Sequence, residues 1–373
     1  MKNVLGVIYT GEKDSFLREL TFQRAIAAVP VVSRYRVIDF FISAMVNSGL
    51  HNVGVIMQKN YNSLMDHLGS GKEWDLHGKN EGLRLLPPFL TRENVGVYSG
   101  SLDALQSNKN FLMRSRQEYV LFCNTIILYN AQFNGMFDEY MQSGADVMML
   151  YTRKPEMKRN DYGTYLNVDD NNRVIDIEVD PAVPHYDCVS MDAFIIKKEL
   201  LIRLVDYGAS HDLHDITRDI FMKMSRESGL KIMAHEYFDP CFRLDSIQSY
   251  FRFNMDILDS SLLHQLFPAE RPVYTKIRDE MPARYMDKAK IINSMIADGC
   301  IINGVVDHSL LSRGVVIEEG AIVKNSIIMQ DCRIESGVQL ENCILDKQAK
   351  VQRDGRLIGP ASYPIVISKN MVI

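Results

Sequence analysis

The residues best placed to do chemistry lie just after the first apolar run. Val4-Leu5-Gly6-Val7-Ile8-Tyr9 reads as a buried strand, and Thr10-Gly11-Glu12-Lys13-Asp14-Ser15 comes after it as a loop. Such strand-to-loop junctions cradle phosphates in α/β folds, because loop N–H groups and the next helix N-terminus favour anions. A cradle needs glycines where the backbone takes positive φ or approaches the ligand, and carboxylates there repel a triphosphate. This loop has the single glycine Gly11 and the carboxylates Glu12 and Asp14, so the place is right and the chemistry is missing. Six cysteines (123, 188, 241, 300, 332 and 343) are scattered without a Cys-x-x-Cys pair, so buried free thiols are expected rather than a metal site or disulfides.

Strands and helices alternate around that loop. Ile38, Phe41, Ile42, Met45 and Val46 recur at helical spacing and stop at Gly49. Strands are expected at 53–57, 119–123, 147–151, 193–196 and 232–237. Helices are expected at 61–68, 133–141, 200–205 and 247–258, with a hairpin around Asp170-Asn171-Asn172. Leu86-Pro87-Pro88-Phe89 is expected as loop, because proline cannot sit inside a central strand. The alternation implies an α/β nucleotide-binding fold with a mixed, mainly parallel sheet covered on both faces, spanning residues 1–260.

After a linker at 261–290 a different rule holds. Leu310, Val316, Ile322, Ile328, Ile334 and Leu340 fall every sixth residue, with small residues at Gly320, Ser326, Cys332 and Val338. That period is the signature of a left-handed parallel β-helix, expected over 291–373 as about two to three coils with a bulge at Asp307-His308, followed by a tail at Ala349 to Ile373 with room for further strands. The aliphatic position of each six-residue side is expected to point inward.

The chain has 373 residues, enough for about two domains, and a hydrophobic content of 46% makes disorder unexpected. Its net charge of −5, with Lys and Arg spread throughout, argues against nucleic acid as a partner. The start Met1-Lys2-Asn3 leads straight into a strand and no apolar run approaches membrane-spanning length. A cytoplasmic protein without a membrane partner is expected.

Thr21, Arg24-Ala25, Ala28-Val29-Pro30, Tyr35-Arg36, Ile38-Asp39-Phe40, Ser43 and Asn47-Ser48-Gly49 together resemble the opening of bacterial glucose-1-phosphate adenylyltransferases (ADP-glucose pyrophosphorylases). Active members carry a glycine run and a Lys-Pro there. This chain has Ile26-Ala27 at the Lys-Pro and no glycine run, and is most similar to the D-type, regulatory subunit of that enzyme. The resemblance covers essentially the whole chain. It implies transfer of an adenylyl group from ATP to a sugar-1-phosphate, which rests on positioning, cations on the phosphates and aspartates holding Mg²⁺.

Set against those demands, the resemblance places Asn124 where the family has one metal aspartate and Arg243 where it has the other, with Asp245 two residues on as a substitute. Asp180 stands where a lysine would bind the sugar phosphate. The resemblance also marks Gly11, Arg24, Gln58, Gly100 and Asp103 as nucleotide-site remnants, and Tyr98, Gly163, Asp180 and Ser190 as sugar-phosphate remnants. Packing and turn roles are expected for these ahead of ligand binding. His308 is similar in place to the catalytic histidine of hexapeptide-repeat acyltransferases, but a β-helix this short makes a solvated loop histidine the expectation.

The resemblance and these departures from it imply a non-catalytic or weakly catalytic regulatory subunit, with no cofactor of its own, that joins a catalytic subunit using Mg²⁺ in a heterotetramer. That leaves room for a sugar-phosphate or nucleotide effector. Two alternatives stay open: an active adenylyltransferase with a rearranged metal site built on Asp245, and a free-standing sugar-nucleotide sensor or scaffold.

Overall fold

A computed structural model describes residues 1–11, 14–79, 81–88, 98–227 and 229–373. Contact within the chain divides it into two compact units, one of Met1–Glu12, Phe40–Cys241 and Ala269–Tyr274, the other of Lys13–Asp39, Phe242–Pro268 and Thr275–Ile373. Both units are therefore built from separated stretches of chain. The expected loop residues Glu12, Lys13 and Phe89 lie outside the described residues.

The first unit is organised on a nine-stranded sheet. Its strands are β1 (Val4–Tyr9), β2 (Val53–Ile56), β3 (Leu83–Leu86), β4 (Tyr119–Asn124), β5 (Val147–Thr152), β6 (Thr164–Val168), β7 (Val174–Val179), β8 (Cys188–Lys197) and β9 (Ile232–Glu236). The order runs β7-β6-β8-β4-β1-β2-β3, with β5 pairing β8 and β9 beyond it. β1 pairs in parallel with β2 and β4, and all six of its residues are buried, which is why it reads as an unbroken apolar run. β8 lies antiparallel to β4, β5 and β6, so the sheet is mixed, as the alternation implied. The hairpin β6–β7 turns through Asn172, at positive φ. Leu86 is not loop: it closes β3, an edge strand, and Pro87 and Pro88 come immediately after it. An edge tolerates this because a missing N–H breaks no ladder there.

In the second unit, three five-stranded parallel sheets form a left-handed β-helix of five coils, rather than two to three. The first strand, Arg284–Tyr285, already pairs with Ile301–Ile302, within the stretch expected as linker. The inward stacks are Ile302, Ile317, Ile334 and Val351; Val306, Val323 and Leu340; and Leu311, Ile328 and Leu345, all buried. Of the six residues expected inward, Val316 and Ile322 are only partly buried, and their neighbours Ile317 and Val323 take the core positions.

The reason is a corner shared by successive coils. Asn293, His308, Asn325 and Asn342 all turn there at positive φ, each followed by Ser or Cys. The hydroxyl of Ser294 accepts the N–H of Ser309, Ser309 that of Ser326, and Ser326 that of Cys343, at 3.0–3.1 Å. Those links span 15, 17 and 17 residues. A coil of 17 shortens one side, so a strict period of six loses phase at this corner. His308 is one of the corner residues and no bulge forms; its ring nitrogen Nδ1 lies 2.8 Å from the Asn293 amide.

The other stretches of this unit present a short hairpin, Pro30–Val31 with Tyr35–Arg36, whose turn residues Val32 and Ser33 have φ of 49° and 62°. The Val32 N–H donates to Asn254 Oδ1 at 3.0 Å, and Tyr250 OH donates to the Pro30 carbonyl at 2.7 Å, holding the turn to the helix Ile247–Asp256.

Candidate functional site

Parallel strands β1, β2 and β4 end together, so Tyr9, Thr10, Gly11, Gln58 and Asn124 gather at their carboxyl ends, where ligands bind in open α/β sheets. Thr10 is held by its N–H and hydroxyl, both donating to the Ile56 carbonyl. Gln58 Nε2 donates to the Tyr9 hydroxyl at 2.8 Å and to the Tyr98 carbonyl at 3.0 Å. Gly11 packs directly on the Tyr9 ring, which a Cβ there would approach to 2.3 Å. Gly11 and Gln58 thus both contact Tyr9, a residue whose place in the sequence marks it only as the end of a strand.

Asn124 closes β4. Its Oδ1 and the Thr125 hydroxyl are buried without a hydrogen bond from the described residues. An amide is neutral and cannot offer the charge that holds a divalent cation. Among the described residues no group of three His, Cys, Asp or Glu side chains is placed to hold a metal. The described residues at this strand end, Tyr9, Thr10, Gln58 and Asn124, offer no carboxylate for Mg²⁺. Arg243 and Asp245 belong to the other unit, where Arg243 is buried and Asp245 half-buried.

The remaining first-unit candidates are tied to one another. Gly100 starts the helix Ser101–Ser107, and the Asp103 carboxylate accepts the Ser99 N–H and lies 3.0 Å from His214 Nδ1. That hydrogen bond holds the His214 imidazole above its ordinary pKa. Ser101 Oγ donates to Asp215, and Asp219 accepts the N–H groups of His214 and Asp215, so the segment 98–103 is stitched to 214–219. Tyr98 is buried. Asp180, at φ 50°, accepts the Gly163 N–H at 2.8 Å and an Arg218 N–H at 2.6 Å. The anion standing where a phosphate-binding cation was expected is thus paired with a cation from another element. Ser190 is buried and accepts the Asp192 N–H at 3.1 Å.

Arg24 lies in the second unit, where its two guanidinium nitrogens grip both oxygens of Asp346 at 2.8 and 2.9 Å, each side chain 3% exposed. The next residue is Lys347. Burial, reinforced by Arg36 and Arg24 and further by Arg278, pushes its ammonium down to about 7 against the opposing pull of Asp346. Lys347 is thus a buried ammonium that feels Arg36, Arg24 and Arg278 against Asp346, which Arg24 already engages, while Asp331 in turn feels Arg278 and Lys347. Lys347 and Arg278 carry no signal in the sequence: no motif or spacing marks them, and only the coiling of the β-helix brings them to Arg24 and Arg36.

Residues 5–258 match the nucleotidyl transferase family, and 281–361 match the GlmU-like C-terminal hexapeptide family. Over 99% of its length the chain is 32% identical to a glycogen biosynthesis protein GlgD from Bacillus subtilis, covering 96% of that protein. It is 30% identical to a glucose-1-phosphate adenylyltransferase from Bacillus mycoides, over 95% of this chain and 94% of the relative. Another such adenylyltransferase, from Bacillus anthracis, is 29% identical over the same shares. Among the described residues no helix is long and apolar enough to cross a membrane.

Proposed function

Since the chain belongs to the nucleotidyl transferase family and aligns end to end with GlgD and glucose-1-phosphate adenylyltransferases, we propose that it serves glycogen biosynthesis as a regulatory subunit of the adenylyltransferase. On this reading it is itself inactive or nearly so, and assembles as a heterotetramer with a catalytic subunit that binds Mg²⁺. The observation that carries the reading is the strand end at Asn124, a neutral amide, with the candidate residues Gln58, Asp103 and Asp180 already partnered within the chain. Adenylyl transfer depends on charge held ready for the phosphates and their metal, and Gln58, Asp103, Asn124 and Asp180 offer none that is not already engaged.

The cations around Lys347 support the regulatory half of the reading. An anionic effector, a sugar phosphate or nucleotide, would relieve their mutual repulsion, and differential binding of this kind biases a partner's conformation by about 1–3 kcal/mol in typical allosteric systems. The test is pyrophosphate release from ATP and glucose-1-phosphate with Mg²⁺, by this chain alone and mixed with a catalytic subunit. Silence alone with an altered rate or effector response in the mixture is expected. Turnover by the chain alone that disappears in Asp245→Asn would reverse the reading in favour of a rearranged active site.

A further inference from the structure

A second binding region lies in the first unit, away from the crevice at the carboxyl ends of the strands. Because β2, β3 and β4 run parallel, Asn52, Glu81 and Arg116, which precede them, mark the amino ends of these strands, opposite the ends that carry Gln58 and Asn124. A cleft of about 800 Å³ runs from those amino ends along the sheet edge β3 as far as its last residue, Leu86. Its floor is apolar, made by Leu85, Leu86 and Phe111, and Arg84, Arg114 and Arg116 stand around it.

The arginines are there by construction. The Phe111 ring packs so closely on the Gly54 backbone that a Cβ at Gly54 would fall 2.4 Å from it, which pins the helix Lys109–Arg114 against β2. The helix ends at Arg114, and Arg116 comes one residue past the Ser115 cap. Neither of these two guanidiniums forms a hydrogen bond or ion pair with a described residue. Arg84 donates one N–H, to the Lys79 carbonyl. The one acidic side chain in the cleft wall, Glu81, accepts from Gln117 Nε2 at 3.0 Å, and Asn52 in turn holds the Gln117 carbonyl oxygen at 3.1 Å. The carboxylate is thus held by a neutral chain of amides and pairs with none of the arginines.

We infer that this cleft binds a small organic anion, a phosphate monoester or a carboxylate with a flat apolar body, at a site separate from the nucleotidyl-transferase crevice. Its guanidiniums match such oxyanions in bidentate geometry, and its floor matches a ring rather than a hydrated ion. The cleft is also separate in composition from the cation cluster of the other unit, which holds Lys347.

Calorimetric titration of the full chain with phenyl phosphate, at low ionic strength, tests this. Binding is expected to be at least about fivefold tighter than for inorganic phosphate, which has no apolar body, and about tenfold weaker in the double variant Arg114→Gln, Arg116→Gln. Both arginines are exposed, so the variant is expected to fold, as circular dichroism would verify. In Lys347→Met the affinity is expected to stay unchanged, which separates the cleft from the effector region of the regulatory reading. The inference fails if phenyl phosphate does not bind, if the double variant binds it equally well, or if Lys347→Met abolishes binding.

Discussion

The crevice at the carboxyl ends of β1, β2 and β4 and the cation cluster at Lys347 handle charge in opposite ways. In the first, among the described residues, Gln58 is matched with Tyr9, Asp103 with His214 and Asp180 with Arg218, while the Asn124 amide at the strand end is neutral. In the second, burial first, and then Arg36, Arg24 and Arg278 against Asp346, disfavour the ammonium form of Lys347. A region already paired needs no ligand to be stable, whereas a buried ammonium that neighbouring cations hold down gains from an anion. The difference teaches where to look for control in a chain whose β4 ends in a neutral amide.

The hardest way to break the contrast is at Arg24. Arg24→Ala strands the Asp346 carboxylate in a buried setting, and the loss of one partner of such a pair destabilises by about 3–5 kcal/mol. Urea unfolding would read it, and a loss under about 1 kcal/mol would mean the pair is not buried in solution.

A pH series addresses Lys347 itself. Its folded pKa lies below its unfolded value of 10.5, so the unfolded chain binds more protons between about 7 and 10.5 and the Lys347 contribution makes stability rise with pH across that window. For the same reason anion binding above pH 7 must take up a proton. Affinity for sulfate, which does not titrate here, is expected to fall by up to about tenfold per pH unit above 7, and Lys347→Met is expected to flatten that slope. Equal slopes in both proteins would remove Lys347 from the cluster's function.

In the matched crevice the effects are smaller. Asp180→Ala removes the acceptor for Gly163 and Arg218 and puts alanine at φ 50°, for a loss of about 1–2 kcal/mol in thermal unfolding. Arg218→Ala, which breaks only a half-exposed ion pair, is expected to lose under about 1 kcal/mol. The smallest effect is expected from Asn124→Asp, which adds one charge at a strand end where no described group of three His, Cys, Asp or Glu side chains is placed to hold a metal. Pyrophosphate release by that variant should stay at background, and measurable turnover would show that the crevice lacks only one group.

Much of the fold is legible in the sequence, for physical reasons that also explain the rest. Buried parallel strands read as unbroken apolar runs, so Val4–Tyr9 and Tyr119–Asn124 stand out. The edge strand Leu83–Leu86 does not, because it is half-exposed and runs into two prolines. The β-helix announces itself by a period of six, yet the corner at Asn325-Ser326 shortens a side, so the period reveals the fold while setting Val316 and Ile322 on the wrong face. At the site, Asn124 and Asp180 stand out because a motif carries them. Tyr9, Arg218 and Lys347 do not, because their roles arise from partners that only folding brings near.

The serine corner also limits how this chain can change length. Each hydroxyl is spaced to receive the N–H of the coil after it, so a residue added within a side would throw every later coil out of step. Growth or loss is tolerable in whole turns, or as slack released at a vertex, as residues 359–364 are between the strands Arg356–Ile358 and Ile365–Ile367. Insertions and deletions among relatives of this chain should therefore be quantised in this domain, coming in multiples of a turn or clustering at vertices.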